Sequence, residues 1–84
     1  VSARNPWQEL ARQRKALRLA DEITRLAESK LGARATPTVI LDVLSRATRE
    51  HWARWAVLAA VKPPSAETQH EVMAIFARRA GVAA

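Results

Sequence analysis

Apolar residues in this chain recur at helical spacing in three stretches and crowd together in a fourth. With successive residues set 100° apart, Ala16, Leu17, Leu19, Ala20, Ile23, Leu26, Ala27 and Leu31 share one face of a first helix, and Arg14, Arg18, Asp21, Glu22 and Arg25 lie opposite. Asn5-Pro6-Trp7-Gln8 supplies its start: a capping residue, Pro at the first helical position, and Gln three residues on to complete a capping box. Gly32 is positioned to end it. Before Ala16 the phase slips, with Glu9 and Arg12 on the later buried side and Trp7 and Ala11 on the exposed one. The first two turns are therefore expected to project past the main core.

Thr36-Pro37 repeats the cap-then-Pro signature, and Val39, Ile40, Val43, Leu44 and Ala47 then align on one face of a shorter helix. A strand through Thr36–Leu41 is the competing reading, but the chain offers it no second strand. Segments two and three are divided by neither Gly nor Pro. One rod from Pro37 to Val61 thus stays open beside a break at Thr48. The third segment is apolar nearly all round from Trp52 to Val61, which predicts a central position or an interface. Lys62-Pro63-Pro64-Ser65 stops it and caps a fourth helix, in which Val72, Met73, Ile75, Phe76 and Ala80 share a face before Gly81-Val82 closes the turn.

The expectation is an all-α, compact bundle of four helices (three if the second and third fuse), approximately 6–31, 37–47, 49–62 and 66–80, antiparallel by default, with short loops and no sheet. Composition agrees. Of the 84 residues 49% are hydrophobic, but 18 of these 41 are Ala, so few large side chains are left to hold a single core. The chain does not begin with Met and is read as one domain of a longer protein.

Several chemistries lack a necessary member. There is no Cys for a disulfide, thiolate metal site or Cys nucleophile, and the two His residues have neither metal-ligand spacing nor a Ser nucleophile context. The Gly residues form no phosphate loop, and no Asp-Ser pair opens a helix as an acyl-carrier attachment site would need. No catalysis, metal or cofactor is expected. The longest apolar run, Trp55–Val61, is far below the roughly 18 residues of a membrane span, and a cytoplasmic protein is expected.

Charge is the remaining functional signal. The formal net charge is +6, with +4 in residues 1–35, +2 in 36–62 and none in 63–84. Arg18 has Glu22 one turn away, and Arg25 has Asp21 and Glu28 within reach, so these are expected to pair. That leaves Arg4, Arg12, Arg14 and Lys15, with Trp7 as a stacking platform, as candidate contacts to DNA or RNA phosphates. No cluster suited to reading base edges accompanies them, and a helix-turn-helix fits poorly. The expected function is therefore a non-enzymatic accessory domain of a larger nucleic-acid-processing or regulatory protein. The alternative is docking to an acidic protein or homo-oligomerisation through Trp52, Trp55, Arg46 and Arg49.

Overall fold

A computed structural model describes residues 5–82, and among these the fold is an all-α bundle of four helices with no strand. The helices are α1 (Pro6–Leu31), α2 (Pro37–Ser45), α3 (Arg49–Leu58) and α4 (Ala66–Arg79), with a 3-10 turn Gly32–Arg34 after α1. Segments two and three are separate helices. Thr48 caps α3, accepting from the His51 N–H, while the Thr48 N–H donates to His51 Nδ1 at 3.1 Å. This reciprocal box forms with His at the third helical position, where Glu or Gln is usual. At α1 the Asn5 side chain accepts from Trp7 N–H at 3.0 Å, so it is Trp7, not Gln8, that completes the cap.

Two helices end earlier than their apolar patterns suggested. The α2 helix stops at Ser45, because Thr48 must leave helical geometry to cap α3. The α3 helix stops at Leu58, not Lys62. Ala60 there adopts φ 57°, Val61 N–H reaches back to Ala56 O at 2.9 Å, and Ala60 N–H bonds Val57 O at 3.1 Å. Gly81 and Val82 repeat these bonds at the end of α4 on Arg78 O and Ala77 O. Both are left-handed helix closures, one built on Ala and the other on Gly.

The core comprises Ala16, Leu19, Ala20 and Ile23 of α1, Ile40 and Leu44 of α2, Trp52 and Ala56 of α3, and Val72, Ile75 and Phe76 of α4, with Ala59 beside them. Phe76, Leu19 and Val72 are its largest fully enclosed side chains, each stabilising the fold by about 1.5–3 kcal/mol. The α4 helix packs on both α1 and α2. Its direction departs from the antiparallel default: Arg12 pairs with Glu67, and further along both helices Asp21 pairs with Arg79 at 3.6 Å. Helices α1 and α4 therefore run the same way.

The third segment is not central. Trp52 and Ala56 enter the core, but α3 packs mainly on α1, and Val57 is 76% and Leu58 49% exposed. The whole molecule is flat, with extents of 45 × 30 × 19 Å, and the short axis is about two helix diameters.

Candidate nucleic-acid interface

The phase slip in α1 has a specific cause. Arg12 points to the start of α4, where its guanidinium binds both oxygens of Glu9 at 2.6 Å and also reaches Glu67. Its side chain is only 20% exposed, and its Nε–H is enclosed with no partner. The hydrogen bond to Glu9 holds the guanidinium pKa above its usual value against desolvation, with the charges of Glu9, Glu67 and Glu71 adding to it. Arg12 is thus a tie between helices, its guanidinium engaged by carboxylates and not turned outward as the phosphate contact expected of it. Nor do the first turns of α1 simply overhang the core: Trp7 and Leu10 are exposed, but Glu9 and Arg12 are held against α4.

Arg18 was expected to be paired, yet Glu22 lies 3.7 Å from Arg25 and Asp21 pairs with Arg79. Among the described residues no carboxylate stands within ion-pair distance of Arg14, Lys15, Arg18 or Lys62. These four cations line one shallow, open hollow of about 400 Å³, together with Ala11 and Val61 and, among the described residues, no acidic one. Three come from α1, Arg14 and Lys15 side by side and Arg18 one turn further on. The fourth is delivered by the closure of α3: the left-handed step at Ala60 turns the chain so that Val61 packs on the core and Lys62 reaches the hollow.

Trp7, Ala11, Arg14 and Arg18 are spaced four, three and four residues apart, which puts them along one stripe of α1. The indole of Trp7 is 77% exposed and covers no part of the core, and it stands about 16 Å along the helix from Arg18. Arg4 lies outside the described residues. Arg18 and Lys62 also belong to the hollow but carry weak sequence signals: Arg18 has a carboxylate at pairing distance along the helix, and Lys62 stands in the Pro-rich stop after α3.

The residues of the docking alternative separate. Trp52 is buried, edge-on to Trp55 with ring centroids 5.2 Å apart, and is a core residue. Arg46 is exposed and paired with Asp42 at 3.4 Å, and Arg49 is exposed at the start of α3. Trp55 instead lines a groove of about 350 Å³ between α1, α2 and α3. Its apolar lining includes Ile23, Leu26, Val39, Val43 and Leu58, with Lys30, His51 and Arg54 as its ionisable members.

Among the described residues no three His, Cys, Asp or Glu side chains cluster as a metal site, and no helix is long and apolar enough to cross a membrane. Compared with known proteins, the chain matches no family model, no curated protein and no solved structure.

Proposed function

We propose that this is a non-enzymatic helical domain that holds DNA or RNA by its phosphates, as an accessory part of a larger nucleic-acid-processing or regulatory protein. One observation carries the reading: Arg14, Lys15, Arg18 and Lys62, from two separate segments, line a single hollow, and among the described residues no acidic side chain lines it and none of the four has a carboxylate partner. Cations gathered in this way repel one another, and a phosphate backbone relieves that repulsion while releasing its own counterions. The exposed Trp7 on the same stripe offers a face for an unpaired base. Contacts of this kind position a strand without reading its sequence. A cytoplasmic setting goes with this reading.

Four phosphate contacts give a log–log salt slope of about −3.6 on duplex DNA and about −2.8 on single strands. Fluorescence anisotropy of labelled oligonucleotides over a salt series measures both. The triple variant R14E/R18E/K62E is expected to bind at least about tenfold more weakly, whereas R49E, which reverses an exposed cation elsewhere, stays within about twofold. Binding that is indifferent to the triple reversal would remove the hollow from the function. Trp7→Ala is expected to weaken single-strand binding by about 1–3 kcal/mol and to affect duplex binding less.

A further inference from the structure

We propose that the groove between α1, α2 and α3 receives an acidic amphipathic helix from a partner protein. The groove is separate from the basic hollow and on another face of α1, so this proposal does not depend on the phosphate reading. Its shape follows from the packing. Helices α2 and α3 are consecutive, α3 rests on α1 and α2 chiefly on α4 with a smaller contact to α1, and the two make little contact with each other. The gap between them is floored by Ile23, Leu26 and Ala27. A helix laid there would touch three helices at once, at the usual interaxial distance of about 8–10 Å.

The apolar residues flanking the gap lack neighbours. Val43 is 47% and Leu58 49% exposed. Val39 and Val43 stand one turn apart on α2, a ridge against which side chains at i, i+3 or i+4, and i+7 of a bound helix interdigitate. A small anionic amphiphile filling the deepest part would leave much of this rim in water.

Charge selects the partner. Lys30 and Arg54 line the groove, no acidic residue does, and neither cation has a carboxylate partner among the described residues. Carboxylates beside the apolar anchors of a bound helix meet both. A second copy of this chain fits badly, because the net charge is +6 and two cationic rims would oppose each other.

The test uses a labelled peptide about 16 residues long, with Leu at i, i+4 and i+7 and Glu at the flanking positions, and a counterpart with Lys replacing each Glu. At about 0.15 M salt, where screening acts beyond about 8 Å, the acidic peptide is expected to bind saturably and at least about tenfold tighter than the basic one. V43D, at an exposed position that leaves the core intact, is expected to abolish binding while circular dichroism stays unchanged. K30E/R54E is expected to reverse the peptide preference. R14E/R18E, which discharges the other surface, is expected to keep peptide binding within about threefold. The proposal is overturned by equal affinity for the two peptides, by binding that survives V43D, or by binding lost in R14E/R18E alone. Groove binding of dodecanoate without peptide binding, or V43D-sensitive self-association in sedimentation, overturns it in favour of an amphiphile or a second copy.

Discussion

Ala60 occupies a backbone conformation that glycine takes freely and alanine does not. A left-handed L-residue costs roughly 1–2 kcal/mol, part of which is offset because glycine loses more freedom on folding. Ala60→Gly is therefore expected to raise stability by about 0.5–1 kcal/mol in urea denaturation, with Lys62 still at the hollow. Gly32 is the opposite case. Its φ of 59° and ψ of −130° suit glycine alone, and a Cβ there would meet open space, so Gly32→Ala costs about 1–3 kcal/mol from backbone strain without a steric clash. The ends of α1 and α4 were legible because Gly stood at each left-handed position. The end of α3 was not, because its closure uses Ala and its apolar pattern runs on through the bend.

At the level of the helices, the sequence carries local signals plainly and distant ones hardly at all. Thr36, Thr48 and Ser65 each cap the helix that follows, with the side chain accepting from the N–H three residues on; the starts at Thr36 and Ser65 are legible from a few neighbouring residues, whereas the one at Thr48 stays open in the sequence because its box is completed by His51 in place of Glu or Gln. The partner of Arg12 stands 55 positions away, so the phase slip was visible in α1 while its meaning, an anchor on the first turn of α4, was not. The charges of the hollow divide in the same way. Arg14 and Lys15 were legible as basic residues of α1, but pairing along the helix misassigned Arg18, and Lys62 joins them only through tertiary packing. The two tryptophans also separate by environment. Trp52→Ala is expected to destabilise by about 3–5 kcal/mol, because its side chain is enclosed against α1, and Trp7→Ala by no more than about 0.5 kcal/mol. Urea titrations of the two variants decide this; similar losses for both would mean that Trp7 is covered in solution.

For the molecule as a whole, a thickness of 19 Å leaves little interior, and stability is unevenly spread. Helix α3 rests chiefly on α1 and exposes Val57 and Leu58, so its amides are expected to exchange with solvent sooner than those of central α1 or of α4. Hydrogen exchange read by mass spectrometry checks this, and equal protection in the three helices would contradict it. The parallel course of α1 and α4 has a further consequence, for the order of folding. Neighbouring helices of an up-and-down bundle can pair as soon as both exist, but the main packing partner of α1 is the last helix of the fold, separated from it by α2 and α3. Closing that long loop precedes most of the core contacts, which makes folding slower than that of bundles with mainly local contacts. During synthesis, the side of α1 that packs on α4 stays uncovered until α4 has emerged, and in that interval its exposed apolar side chains are open to aggregation.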